Sequence, residues 1–207
     1  MNTMFKNILI LSPHTDDGEL AAGGSIARLV EEDANITYIA LSAHRSELHE
    51  ECRRCLNVLG VEDLIILDFP RRHFPQYRQE ILQRLYDYNS EHDIDLVLTP
   101  STKDLHQDHQ TVTAEALRAF KHSTILGYEL PWNHIAFNEN CFVALEERHV
   151  EKKLEALSNY KTQKERHYFN AEYLRGLTRS RGVQIGEKYA EAFEVVKLVL
   201  SLNPEIR

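Results

Sequence analysis

Asn7-Ile8-Leu9-Ile10-Leu11-Ser12-Pro13-His14-Thr15-Asp16-Asp17-Gly18-Glu19 runs four consecutive aliphatic residues straight into an imidazole and two adjacent carboxylates. A short unbroken apolar run closed by a proline reads as a strand buried on both faces. Apolar residues at Leu20, Ile26, Leu29 and Val30 then predict a helix from Gly18 to Glu32. Gly23 and Gly24 lower its helix propensity, which points to close packing against a neighbour. In an open α/β sheet, ligands bind at the carboxyl end of such a strand.

The alternation continues outward. Strands are predicted from Ile36 to Leu41, Leu64 to Phe69 and Asp95 to Thr99. Helices are predicted from Glu47 to Leu59, with Gly60 as the stop, from Gln76 to Tyr88, and from Gln110 to Lys121. Short strands from Ile125 to Leu130 and Cys141 to Leu145 follow. The remainder reads as helices over roughly 146–163, 170–180 and 186–202. This pattern predicts an α/β fold: a mostly parallel sheet, helices on both faces and a helical C-terminal part. The 207 residues show no repeat and no linker, so residues 1–207 read as one domain.

A net charge of −8 argues against a broad nucleic-acid or anionic-membrane surface. Local clusters such as Arg71-Arg72 and Arg179-Ser180-Arg181 suffice only for a single anionic group. No apolar run approaches the ~20 residues of a membrane span, and the N-terminus carries no secretory pattern. Three cysteines fit a reducing compartment, so a cytoplasmic location is expected. Cys52-Arg53-Arg54-Cys55 is a C-x-x-C inside a charged helical pattern, and only Cys141 remains to complete a zinc set. It reads as a pair of small, partly buried helix positions.

A second cluster, His106-Gln107-Asp108-His109, follows the apolar run Leu96-Val97-Leu98. Right-handed crossovers bring parallel strand exits to one edge, so His14 and His109 are predicted to meet there. Each cluster alone has a plain reading: Asp16, Asp17 or Asp108 caps a helix and the histidines are solvated. Together they offer histidines and a carboxylate around open positions, the arrangement of a catalytic metal. Zinc suits that set, and iron(II) also accepts two histidines and a carboxylate. A second carboxylate nearby is placed to act as general base. A cationic histidine opposite would stabilise an oxyanion and protonate a leaving amine. Asp108 is placed to accept the N–H of either histidine ring and set its tautomer. The inventory describes metal-assisted amide hydrolysis.

Ser12 to Glu19 followed by Gly23-Gly24 resembles the N-terminal signature of the LmbE-like/PIG-L family of zinc-dependent de-N-acetylases. His106 to His109 resembles that family's second histidine motif. Tyr160-Lys161-Thr162-Gln163 and Tyr189-Ala190-Glu191-Ala192-Phe193 fit as well, so the likeness spans nearly the whole chain. The resemblance implies a Rossmann-like fold and removal of an N-acyl group, usually acetyl, from an amino sugar or glycoconjugate. It implies that His14, Asp17 and His109 bind zinc and that Asp16 is the general base. His106 would stabilise the oxyanion, oriented by Asp108. Thr15 departs from the family, which commonly has proline there, but removes no ligand.

Two other readings compete: a metal-dependent phosphoesterase, and a non-catalytic sugar- or nucleotide-binding module. Gly18 to Gly24 lacks G-x-G-x-x-G, which weakens the dinucleotide version. His44, His73, Arg45, Arg53, Arg71 and Arg72 are candidates for contacts to substrate hydroxyls or a phosphate. Trp132, within Tyr128 to Asn133, is a candidate wall for a sugar ring. The run Glu146 to Glu155 reads as a solvated helix face. The expected partner is a small N-acetylated amino sugar; the oligomeric state is left open.

Overall fold

The computed structural model describes residues 4–200. Four parallel pairings build most of one seven-stranded sheet. Its strands are β1 (Asn7–Ser12), β2 (Asn35–Ala40), β3 (Asp63–Ile66), β4 (Leu96–Pro100), β5 (Thr124–Tyr128), β6 (Cys141–Leu145) and β7 (Tyr189–Lys197). The order is β3-β2-β1-β4-β5-β7-β6, with β7 antiparallel to both of its neighbours.

The apolar run of β1 is explained by strand alternation. Ile8 and Ile10 enter one core, packed against α1 (Asp17–Glu31), α2 (Ser46–Leu59) and α5 (Glu147–Leu157). Leu9 and Leu11 enter the other, against α3 (Arg78–Glu91) and α4 (Gln107–Ala119). Each side chain contributes about 1.5–3 kcal/mol by leaving water. Gly60 ends α2 in the left-handed region at φ +89°, a conformation cheap only for glycine. Cys52 and Cys55 are free helix residues in α2, as predicted, and are fully buried where partial burial was expected.

The C-terminal third departs from the sequence expectation. The predicted 146–163 helix ends at Leu157, and a 3-10 turn follows at Lys161–Gln163. The next helix, α6 (Ala171–Gln184), is longer than predicted and is capped by Asn170, whose side chain accepts from the Tyr173 N–H. The predicted 186–202 helix is instead strand β7; positions 201–202 lie outside the described residues. Tyr189, Phe193 and Val196 mimic a helical stripe, but pairing with a strand on each side overrides that local signal.

Two glutamates of β7 do long-range work. At Ala22 (φ −122°, ψ 15°) α1 is kinked, which frees backbone groups mid-helix. The Glu191 carboxylate accepts from the N–H groups of Gly24 (3.0 Å) and Ser25 (2.6 Å), capping the second half of α1. Lys153 Nζ donates to Glu191 (2.6 Å) and to the Ala21 carbonyl (3.3 Å). A methyl at Gly24 would meet Leu145 at 2.5 Å, and one at Gly23 would meet the Lys153 stem at 2.8 Å. The glycines thus admit β6 and Lys153 to the helix, the close packing predicted for them. Glu194 accepts from Ser101 Oγ and the Thr102 N–H, both at 2.8 Å, and so pins the loop after β4.

Candidate active site

The loop after β1 and the start of α4 meet at the carboxyl edge of adjacent strands β1 and β4. His14 Nδ1 lies 3.1 Å from Asp17 Oδ2, and His109 Nε2 lies 3.2 Å from the same oxygen. The two ring nitrogens are 3.4 Å apart. These atoms form a nearly equilateral triangle. A tetrahedral ion with ligands at about 2.0–2.1 Å requires ligand–ligand edges of about 3.3–3.4 Å, so the donors fit a divalent cation.

The outward nitrogens of both rings are held by carboxylates. His109 Nδ1 donates to Asp104 (2.8 Å) and His14 Nε2 donates to Asp108 (3.1 Å). Each contact fixes the tautomer whose remaining lone pair faces the triangle. Asp104 was not singled out from the sequence. It lies in the loop five residues before His109, where no periodicity marks it, and it also accepts from the His106 N–H (2.8 Å).

The expected orientation of His106 by the Asp108 carboxylate is corrected. That carboxylate pairs with His14 and accepts from the N–H groups of Arg72 (2.6 Å) and Phe74 (3.2 Å). His106 is positioned by the Asp108 backbone instead, whose N–H donates to His106 Nδ1 (3.1 Å). Helix α4 therefore starts earlier than predicted, with an imidazole as its N-cap. The sequence reading of Asp108 as that cap fails, because its side chain is committed elsewhere.

His14, His106 and His109 also group closely enough to be considered as a ligand set. Nδ1 of His106 must keep its lone pair to accept from α4, so the proton of the neutral ring sits on Nε2. That leaves His106 as a donor toward the cavity, stacked on His109 at 4.5 Å between centroids.

Asp16 occupies the N-cap position of α1 yet caps no N–H, so the plain capping reading fails. Burial and the adjacent Asp17 raise its pKa to about 6. Burial, then His109 and His14, lower His106 to about 4, a direction that favours the neutral ring. Burial opposes charging of His109, but Asp17 and Asp104 outweigh it and raise the ring to about 10. Burial likewise opposes charging of His14, and Asp17 and Asp108 prevail. Without a cation, the proton held by His109 offsets the Asp17 charge.

Beneath this loop, Glu19 is fully buried and accepts from Tyr160 Oη (2.8 Å) and from Tyr38 Oη. The same Tyr160 oxygen lies within hydrogen-bond reach of the Thr15 carbonyl, so one phenol proton is shared between Glu19 and Thr15 and the Tyr160 motif braces the loop that carries His14 and Asp16. Burial raises Glu19 to about 8 despite those hydrogen bonds.

A cavity of about 270 Å³ opens over the site. His44, Arg45, Arg71 and Trp132 line it, as do Gln163, Arg166 and Tyr168. Trp132 stacks on Tyr168 at 4.2 Å and 12°. His73, Arg53 and Arg72 are exposed and stand outside the wall.

The GlcNAc-PI de-N-acetylase family, PIG-L, matches residues 9–120, more than half of the chain and both histidine clusters. The chain belongs to the PIG-L family. Among its relatives is YaiS of Escherichia coli K12, described as an uncharacterised deacetylase, 31% identical over 76% of this chain and 91% of that protein. The diacetylchitobiose deacetylase of Thermococcus kodakarensis is 25% identical, covering 92% of this chain and 83% of its own. The PIG-L fold is shared with GalB, the 4-carboxy-2-hydroxymuconate hydratase of Pseudomonas putida KT2440, with a TM-score of 0.79 and 20% identity. That match covers 96% of this chain and 99% of GalB. One scaffold thus carries more than one reaction, so function is argued from the site. Among the described residues, no helix is long and apolar enough to cross a membrane.

Proposed function

We propose that the protein is a metal-dependent N-deacetylase that hydrolyses the acetamide of an amino sugar or glycoconjugate. His14, Asp17 and His109 would hold the cation, zinc or iron(II). The observation that carries this is the donor triangle, with a carboxylate behind each histidine and the uncapped Asp16 in the same cavity wall.

A divalent cation supplies Lewis-acid polarisation of the amide carbonyl and acidifies water. Asp16, raised to about 6, is ionised at neutral pH and removes the proton of the attacking water. The Nε2–H of His106 donates to the developing oxyanion as a neutral group. Asp16 then returns its proton to the leaving nitrogen, which releases acetate and a free amine.

The test is incubation of metal-loaded protein with a panel of N-acetylated sugars, read by mass spectrometry. Loss of an acetyl group from at least one supports the reading. Release of phosphate from generic esters without any deacetylation would favour the phosphoesterase. Binding with no turnover would favour a binding module.

Two outcomes follow from the donor set. Metal uptake at pH 7 should release at least one proton, the one held by His109. Calorimetry in buffers of differing ionisation enthalpy measures this, and zero protons would contradict the assignment. Asp104→Asn should weaken metal affinity by about 10–100-fold while the ligands remain, measured by competition with a chromophoric chelator.

A further inference from the structure

The whole chain carries a net charge of −8, yet three guanidiniums converge on the cavity from separate segments. Arg45 precedes α2, Arg71 follows β3, and Arg166 lies between α5 and α6. Arg28, Arg78, Arg118, Arg148, Arg175 and Arg181 pair with glutamates, whereas Arg53, Arg54, Arg72, Arg84 and Arg179 are exposed away from the cavity. Among the described residues, Arg45, Arg71 and Arg166 form no ion pair with any carboxylate. Arg45 donates only to its neighbour His44 (3.3 Å). The Nε–H of Arg71 is buried without an acceptor, an arrangement that costs free energy until one arrives. After burial, the charges of Arg71 and Arg45 hold the His44 pKa down, so both guanidiniums stand within electrostatic range of the same ring. Asp16 and Asp17 are the carboxylates of the wall; the Arg71 charge acts on Asp16 but makes no ion pair with it.

We propose that Arg45, Arg71 and Arg166 form an anion subsite, and that the substrate is an acidic N-acyl amino sugar bearing a phosphate or carboxylate. This rests on the deacetylase reading for the sugar but not for the anion. Guanidiniums match oxyanions by paired N–H donation, and repulsion among the three is relieved when one is bound. At about 270 Å³ the cavity is at the low end for a ligand site, which suits one sugar ring with a compact acidic group.

The experiment has two arms on the full chain. In the first, chelator-treated protein, which cannot bind the anion through a metal, is titrated calorimetrically. The probes are N-acetylglucosamine, its 1-phosphate, its 6-phosphate and the corresponding uronic acid. At least one acidic sugar should bind about tenfold or more tightly than the neutral one. The exposed changes Arg45→Gln and Arg166→Gln should each remove about tenfold of that advantage. The phosphates and the uronic acid separate the two anion types. Equal binding of neutral and acidic sugars, or an advantage indifferent to both substitutions, overturns the subsite. The second arm compares kcat/KM for the same sugars on metal-loaded protein. Acidic sugars that bind through the arginines but keep their acetyl group leave the subsite standing and defeat the deacetylase reading. Neutral sugars deacetylated best, with no dependence on the arginines, do the reverse.

Discussion

Asp16→Asn should lower kcat by about 10²–10⁴-fold while metal content stays stoichiometric, because the amide keeps the shape and cannot take a proton. The prediction separates base from ligand. Asp17 Oδ2 sits in the donor triangle and also accepts from the His14 N–H at 2.9 Å. Asp16 makes no such contact and caps no helix end. Asp17→Asn should therefore cost metal first and turnover in consequence. Metal analysis beside single-turnover kinetics checks both variants. Normal turnover in Asp16→Asn, or lost metal in that variant, would remove the base assignment.

The second large effect lies away from the cavity. Lys153 and Glu191 are an ion pair with side chains only 2% and 4% exposed. Lys153→Met leaves the Glu191 charge buried without its partner, at a cost of about 3–5 kcal/mol. For a chain of this size the melting temperature should fall by about 6–20 °C. The double variant Lys153→Met/Glu191→Gln should recover part of the loss, since the charge leaves with its partner. Because Glu191 caps α1 at the kink, and Asp17 opens that helix, the single variant should also lose activity well below its melting point. Thermal melts of both variants test the first claim. Assays far below the transition test the second.

Much of the architecture was readable from local pattern. The β1 run, Pro100 at the end of β4 and Gly60 after α2 are signals of short range, and short-range signals survive folding. Strand-exit topology brought His14 to His109 across 95 positions. What was not readable depends on partners distant in sequence. Nothing local distinguishes Asp104 from any loop aspartate. Asp108 was expected to serve His106 or His109, its near neighbours, but its carboxylate reaches His14 and the loop at Arg72–Phe74. Strand β7 read as a helix because its neighbours β5 and β6 supply the pairing that its own spacing conceals. Arg166 gave no signal because its place in the mouth is set by two turns between helices.

Strand β7 has a consequence for biosynthesis. Every residue lining the cavity lies at or before Tyr168, so a growing polypeptide emits the whole lining before Tyr189 leaves the ribosome. Glu191, which clamps Gly24 across 167 positions, and Glu194, which holds Thr102 across 92, arrive only afterwards. A nascent fragment therefore holds every residue of the cavity wall without these two fasteners, which are set only once the last strand is made.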